Sequence, residues 1–202
     1  MKKSAAQPDM NDLFLPGMNT DQPLPKAGVY VGIFPLAEDA PRFDNILNTQ
    51  CREHGLTGTP RPPLYRHVTC GFVGPSPMVS NRVIESFKRA CEAAVGLTPA
   101  FEIEFDHVMS FGGGAFALCK PGGNEAAHGF HHLLQREMMK QGCKFHKDSP
   151  KFNPHMTLLY DRRTIPSTSA ESIKWKVGKL ALVRSLVGRT KYEWLGEWQF
   201  GE

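Results

Sequence analysis

The pattern His-x-Thr occurs twice in this chain, each time inside a run of apolar and β-favouring residues: His67-Val68-Thr69 and His155-Met156-Thr157. In a β-strand, residues two positions apart point to the same face, so each run presents an imidazole and a hydroxyl to one side. The apolar residue between them points the other way, into a core. We interpret residues 64–73 and 153–160 as two strands with each histidine in mid-strand. These strands must lie side by side for their polar faces to share one space.

The remaining periodicity predicts three helices and several further strands. Apolar side chains at steps of three and four predict helices over about residues 43–54, 76–95 and 125–141. Ser76-Pro77 is interpreted as the cap and first position of the second helix, with Val83 on its buried stripe. Further strand-like runs lie at residues 27–35, 101–106, 115–119, 173–177, 179–187 and 192–200.

The order of these elements predicts the fold class. His-x-Thr recurs at a strand that follows a helix in each half of the chain, which indicates a duplicated α+β unit. We therefore expect two pseudo-symmetric lobes of antiparallel sheet, with helices on the outside and an active-site cleft between the lobes. Residues 1–25 show little periodicity and are interpreted as a flexible leader. Residues 26–202 are expected to form a single bilobal domain.

Composition narrows the class of protein. With 41% hydrophobic and 22% charged residues, the 202-residue chain is typical of soluble globular proteins. No apolar run approaches the roughly 20 residues that a membrane helix needs, and the N-terminus lacks a secretory signal. Its five cysteines are odd in number and form no C-x-x-C pair, which argues for free thiols rather than disulfides or a zinc site. We expect a cytoplasmic monomer without membrane contact.

The charge distribution points to an anionic ligand. The net charge is only +4, but residues 162–191 contain eight basic side chains against a single acid. A basic zone directly after the second His-x-Thr favours an anionic substrate. A solvated basic face is the alternative interpretation.

Both motifs and their surroundings resemble the 2H phosphoesterase superfamily, and within it the 2′-5′ RNA ligase / RNA 2′,3′-cyclic phosphodiesterase family. The resemblance covers about residues 27–200 and rests on four segments, namely HVTCGFVG at 67–74, MSFGG at 109–113, FNPHMTL at 152–158 and LVGRTKY at 186–192. One departure concerns phosphate binding. Many members carry arginine three places after the second threonine, where this chain has Tyr160, and Arg162 and Arg163 are the nearest basic residues along the chain.

The resemblance implies metal-independent hydrolysis of RNA or oligonucleotide 2′,3′-cyclic phosphate ends to 2′-phosphate, with reversible 2′-5′ ligation at the same site. It implies no cofactor. The implied catalytic residues are His67, Thr69, His155 and Thr157, and the implied substrate-binding residues are Tyr160, Arg162 and Arg163. His67 would act as general acid on the ribose 3′-oxygen and His155 as general base on water. A histidine pKa near 6.5 suits both roles, and threonine hydroxyls can bind the phosphoryl oxygens.

Other functions and other sites stay open on sequence grounds. The alternatives in function are hydrolysis of 2′-5′-linked oligoadenylate or of a small cyclic nucleotide, and a non-catalytic module that binds RNA ends or nucleotides. His128 and His132, with Glu125 one turn earlier, could bind a metal, but a solvated helix face that includes His131 is the better interpretation. The glycines at 112–114 predict a hairpin turn rather than a phosphate cradle. The three tryptophans are expected in the core or in packing between the lobes rather than stacked on a base: Trp175, Trp194 and Trp198.

Overall fold

The computed structural model describes residues 27–186 and 191–201, so the leader expected over residues 1–25 lies outside the described residues. The helices are α1 (Ala40–His54), α2 (Asn81–Gly96) and α3 (Glu125–Lys140). The strands are β1 (Ala27–Pro35), β2 (Thr59–Pro60), β3 (Val68–Pro75), β4 (Glu102–Ser110), β5 (Ala115–Cys119), β6 (His155–Tyr160), β7 (Thr168–Leu186) and β8 (Lys191–Gln199).

These strands form one antiparallel sheet in the order β1-β3-β6-β5-β4-β7-β8, with β2 on β6. β7 pairs with β4 along its first half and with β1 along its second half, so it belongs to both lobes. On the other side of the molecule, the lobes meet where β3 pairs with β6 at Val68 and Met156. The predicted α+β class with antiparallel lobes is confirmed.

Strand β7 corrects one expectation about the second half of the chain. Residues 173–177 and 179–187 were expected as two strands, but Thr168–Leu186 is one strand of 19 residues. Gly178, which lies between the two expected ranges, is at a register irregularity against β1. A Cβ at Gly178 would lie 2.7 Å from Leu36 Cδ2, so glycine allows the chain after β1 to pack directly on β7.

Helix α2 corrects a second expectation. The segment Ser76–Met78 is a separate 3-10 turn, and α2 begins after Ser80, whose side chain accepts a hydrogen bond from the Val83 amide. Val83, which was expected on the buried stripe, is exposed, and Ile84 is buried. Hairpin β4–β5 and the end of α1 at the left-handed residue Gly55 (φ 61°) follow the sequence prediction.

The sheet separates a large core from a smaller aromatic cluster. Alternate residues of β1 and β7 point to the helices and join the main core, together with side chains of all three helices. Their neighbours point to the opposite face, where Tyr30, Phe34, Ala181 and Val183 are buried under the partly exposed Tyr192 and Trp194. Within the described ranges, no helix combines the length and apolar character that crossing a bilayer requires.

Candidate active site

The two histidines lie at the beginnings of their strands, not in mid-strand as expected. His67 directly precedes β3, and His155 is the first residue of β6. The expected strand from residue 64 does not form because Pro63–Tyr65 makes a 3-10 turn, and proline at position 63 has no amide to donate to a ladder. Since Val68 pairs with Met156, the two His-x-Thr runs lie next to each other across the junction of the lobes.

Both His-x-Thr pairs contribute to the same small polar pocket. Its lining consists of Arg61, His67, Thr69, His155, Thr157 and Tyr160. His67 and His155 are only 6% and 4% exposed, so both side chains are almost completely shielded from solvent. The structure therefore brings together all four residues of the two motifs, with Tyr160 beside them.

Backbone carbonyl groups fix the tautomer of both imidazoles. His67 Nδ1 lies 2.7 Å from the Tyr65 carbonyl oxygen, and His155 Nδ1 lies 2.6 Å from that of Asn153. A carbonyl only accepts hydrogen bonds, so Nδ1 carries the hydrogen in each ring and Nε2 has the lone pair. His67 Nε2 is 3.1 Å from Thr69 Oγ1. Each histidine can thus exchange a proton through Nε2.

Aromatic rings hold the two imidazoles in place. His67 stacks against Tyr30 and Phe34, with ring centres 5.2 and 5.1 Å away. A Cβ on Gly32 would lie 3.2 Å from His67 Cδ2, so the glycine between these two residues of β1 leaves space for the ring. His155 stacks on Phe111 at 4.5 Å. The orientation of both rings is set by packing before any substrate arrives.

Burial makes both histidines weak bases. Burial and the positive charge of Arg61 together lower the pKa of His67 to about 3, although the hydrogen bond to the Tyr65 carbonyl acts to raise it. Burial also lowers the pKa of His155 to about 4. Both imidazoles are therefore neutral near pH 7 when no anion is bound.

Arg61 is a functional candidate that the sequence analysis missed. Its guanidinium is buried, with Nε donating to the Tyr65 carbonyl at 2.7 Å, Nη1 to the Tyr160 hydroxyl at 3.1 Å, and Nη2 to the Tyr192 hydroxyl. Among the described residues no carboxylate forms an ion pair with it. A buried cation without an opposite charge is costly, and a bound phosphate would compensate it. The signal in the sequence was a lone arginine in the proline-rich loop before the first motif.

The other expected binding residues lie in different places. Tyr160 lines the pocket and accepts the hydrogen bond from Arg61. Arg163 donates from Nη1 to the His54 carbonyl at 2.7 Å, and Arg162 is exposed. Neither Arg162 nor Arg163 is part of the pocket lining. Their position next to the second motif along the chain therefore does not make them part of the pocket lining.

Asp161 connects the loop that carries Arg61 to the second lobe. Its carboxylate accepts hydrogen bonds from the amides of Thr57, Gly58 and Arg163, at 2.7, 2.6 and 2.7 Å. Partial burial acts to raise the pKa of Asp161, but these three amide donors outweigh it and the pKa lies below its usual value. This contact between the lobes positions the loop from which Arg61 enters the pocket.

The remaining histidine candidates belong to the packing of α3. His131 was expected on a solvated face but is buried, because its ring stacks on Phe152 at 4.1 Å. His128 contacts the same ring at 5.1 Å, and His132 is exposed. In the part of the chain that the structure describes, no three potential ligands among His, Cys, Asp and Glu gather around one point.

The glycine turn and the tryptophans follow their predictions only in part. Gly112–Gly114 forms the expected turn of the hairpin, packed against the Asp161 backbone. Trp175 is in the core as expected, with 1% exposure. Trp198 packs partly buried against the main core, whereas Trp194 lies on the opposite face of the sheet and is partly exposed.

Solved structures with this fold are known. LigT of E. coli, in a complex with 3′-AMP, matches with 22% identity and a TM-score of 0.61 over 87% of this chain and 98% of LigT. A protein of Thermus thermophilus matches with 18% identity and a TM-score of 0.67 over 87% of this chain and 99% of its own. The PDE domain of MHV ns2 matches with 17% identity and a TM-score of 0.51, over 75% and 99% of the two chains. At these identities the likeness concerns the fold.

No curated protein matches the chain. The family assignment rests on the sequence profile of the 2′-5′ RNA ligase superfamily, which matches residues 39–189. That segment is more than half of the chain and contains both His-x-Thr motifs and Arg61. The chain therefore belongs to the 2′-5′ RNA ligase superfamily, a branch of the 2H phosphoesterases.

Proposed function

We propose that this protein hydrolyses 2′,3′-cyclic phosphate ends of RNA or oligonucleotides and leaves a 2′-phosphate. The observation that carries the proposal is the pocket itself, in which two Nε2 atoms of fixed tautomer, two threonine hydroxyls and one buried guanidinium converge. These groups are the ones that opening a cyclic phosphodiester requires. Membership of the superfamily supports phosphoester chemistry on RNA or nucleotides. The assignment of a cyclic phosphate as the substrate is our proposal.

Arg61 and the two threonines are assigned to the phosphoryl group. The non-bridging oxygens are negatively charged and gain charge in the transition state. A guanidinium and hydroxyl donors that are already in position stabilise that charge without reorganisation. The Tyr160 and Tyr192 hydroxyls are neutral acceptors, so they hold Arg61 in place without compensating its charge.

His155 and His67 are assigned to the two proton transfers. His155 Nε2 takes a proton from water as the water oxygen attacks phosphorus opposite the 3′-oxygen. The P–O3′ bond breaks, and His67 Nε2–H gives its proton to the departing 3′-oxygen. The 2′-oxygen remains bound to phosphorus, so the product has a 2′-phosphate and a free 3′-hydroxyl. When an RNA 5′-hydroxyl replaces water, the same step forms a 2′-5′ phosphodiester.

Binding of the anionic substrate favours the protonated form of His67 that this scheme needs. Because the pKa values of His67 and His155 are lowered to about 3 and about 4, the form with protonated His67 is rare near neutral pH. A bound phosphate anion neutralises the Arg61 charge and favours an imidazolium. The pH optimum of kcat is therefore expected above that of kcat/KM, since the first reports the complex and the second reports the free enzyme.

The test uses a labelled oligonucleotide with a 2′,3′-cyclic phosphate end, incubated with protein in EDTA, with products resolved against 2′- and 3′-phosphate standards. We expect 2′-phosphate, and a loss of about 10²- to 10⁴-fold for either His67→Ala or His155→Ala. His107→Ala on β4 is the matched control and should keep wild-type rates. An intact cyclic end with the wild-type protein would falsify the proposal. Turnover of 2′-5′-linked oligoadenylate alone, or binding without turnover, would select one of the alternatives.

A second substrate separates the acid from the base. When sulfur replaces the 3′-bridging oxygen, the departing thiolate needs no proton. His67→Ala should then recover much of its lost rate, whereas His155→Ala should stay slow because water still needs a base. Recovery by His155→Ala in place of His67→Ala would reverse the two roles.

A further inference from the structure

Arg66, the residue directly before the first His-x-Thr motif, is a buried cation that lies outside the pocket lining. Its side chain is 2% exposed. Nη2 pairs with Asp44 Oδ1 of α1 at 2.5 Å, Nε donates to the Arg61 carbonyl at 3.1 Å, and the buried Nη1 has no hydrogen-bond partner among the described residues. An apolar side chain of similar volume often stabilises a buried position as well as an ion pair does. Stability alone therefore does not explain this arginine.

The loop from Arg61 to Arg66 is closed by two reciprocal side-chain contacts. Arg66 Nε donates to the Arg61 carbonyl, and Arg61 Nε donates to the Tyr65 carbonyl at 2.7 Å. The turn between them is completed by the Arg66 amide, which donates to the Pro63 carbonyl at 3.1 Å. Each arginine thus fixes the backbone next to the other, and the ion pair with Asp44 ties the whole loop to α1.

The Tyr65 carbonyl is the point at which this loop meets the active site. It accepts hydrogen bonds from Arg61 Nε and from His67 Nδ1, both at 2.7 Å. One oxygen therefore orients both the cation assigned to the phosphoryl group and the imidazole assigned as general acid. This carbonyl belongs to the rigid peptide plane between Tyr65 and Arg66. Anchoring the Arg66 side chain consequently fixes the direction in which the Tyr65 oxygen points.

We propose that Arg66 is a positioning residue, which holds the Tyr65 carbonyl on His67 Nδ1 and so keeps His67 Nε2 directed at the pocket. Its kinetic consequence rests on the proposed function, whereas the contact itself does not. The second motif solves the same problem differently. Pro154 directly precedes His155, and its ring restricts the backbone there without any side-chain donor.

The tautomer of His67 tests the contact without any turnover. Arg66→Met removes the ion pair and the bond to the Arg61 carbonyl, and Asp44, whose side chain is 46% exposed, can then be hydrated. NMR of the imidazole nitrogens, assigned with His67→Gln and His155→Gln, reports which nitrogen carries the hydrogen. In Arg66→Met the two nitrogen shifts of His67 should move toward each other, as for a mixture of tautomers, while those of His155 stay unchanged. Wild-type shifts for His67 would overturn the proposal.

Arg42→Met is the matched control for this experiment. Arg42 also pairs with a carboxylate, that of Asp39, and donates to a backbone carbonyl, that of Lys174, but neither acceptor lines the pocket. This variant should keep the wild-type shifts of His67. Arg66→Lys retains the charge but lacks the planar fork that reaches two acceptors, so it should behave like Arg66→Met. Full rescue by lysine would contradict positioning through the fork.

Kinetics separate positioning from stability. With folding of the variant verified by circular dichroism at the assay temperature, kcat of Arg66→Met should fall about 10- to 100-fold, the range for a misplaced catalytic group. The loss should be smaller on the substrate with sulfur at the 3′-bridging position, since that leaving group needs no acid. An equal loss on both substrates would show that Arg66 does not act through His67, and would overturn the proposal. Altered His67 shifts in Arg66→Met, together with a wild-type protein that leaves cyclic phosphate intact, would support the positioning contact while contradicting the proposed reaction.

Discussion

Acidification from pH 7 to pH 5 is expected to destabilise the folded protein through its two pocket histidines. Burial holds the pKa of His67 at about 3 and that of His155 at about 4, whereas both return to 6.5 in the unfolded chain. Below pH 6.5 both histidines therefore bind protons in the unfolded chain but stay neutral in the folded protein. Stability that depends on these neutral side chains is fully present above pH 6.5 and is lost as the pH falls toward their folded pKa values.

The size of the effect follows from proton linkage. Between pH 7 and pH 5, each histidine should remove about 2 kcal/mol from the free energy of unfolding, and the pair about 4 kcal/mol. That is a large share of the roughly 5 to 15 kcal/mol that stabilises a typical domain. Carboxyl groups with ordinary pKa values near 4 titrate mostly below this interval. His131, whose pKa burial lowers to about 4, adds to the loss in the same direction.

Urea unfolding followed by circular dichroism at pH 7, 6 and 5 measures this loss. His155→Gln keeps a neutral polar side chain and should lose about 2 kcal/mol less than the wild type across the interval. His132→Gln, at an exposed position of α3, is the matched control and should follow the wild type. The reasoning fails if wild type and His155→Gln lose the same stability between pH 7 and pH 5. Excess inorganic phosphate should reduce the wild-type loss, since anion binding favours protonated imidazoles.

Three further predictions concern groups around the histidines. Arg61→Met should lower kcat/KM by about 10²- to 10³-fold, which is the cost of losing one charge-stabilising donor. Urea unfolding of this variant should show little loss of stability. A kcat/KM within a few-fold of wild type would exclude Arg61 from phosphate binding. Gly32→Ala puts a methyl group 3.2 Å from the His67 ring and should lower kcat about tenfold with a small shift in melting temperature, so an unchanged kcat would show that the ring has room to move. Asp161→Asn should cost about 1 to 3 kcal/mol in urea unfolding because three amide donors lose a charged acceptor. Full stability of this variant would contradict the role given to the lobe contact.

Local sequence patterns predicted most of the fold because apolar periodicity and glycine positions determine where most of these helices and strands begin and end. β1 and β5 have the bounds that their uncharged, β-favouring runs indicate, and α1 ends where Gly55 takes a left-handed conformation. The errors occurred where tertiary packing overrides a local signal. Gly178 resembles a strand break along the chain, but its missing side chain accommodates Leu36.

The candidate site was predicted where it depends on sequence pattern and missed where it depends on folding. A repeated His-x-Thr can be recognised from spacing alone, so the pairing of the two motifs could be expected. Arg61 could not, since its place in the pocket depends on a loop that Asp161 holds across the lobe junction. Arg162 and Arg163 show the converse, because closeness along the chain to the second motif does not bring them to the pocket.

Because β7 pairs with strands of both lobes, the protein can become active only after β7 has been synthesised. β1 supplies the rings that hold His67, yet its long partner strand is synthesised only after both motifs. Contacts so distant in sequence form slowly, because the chain loses much entropy before they are made. The nascent chain therefore carries both motifs well before it can align them, and catalysis should switch on in one late step when Thr168–Leu186 closes the sheet.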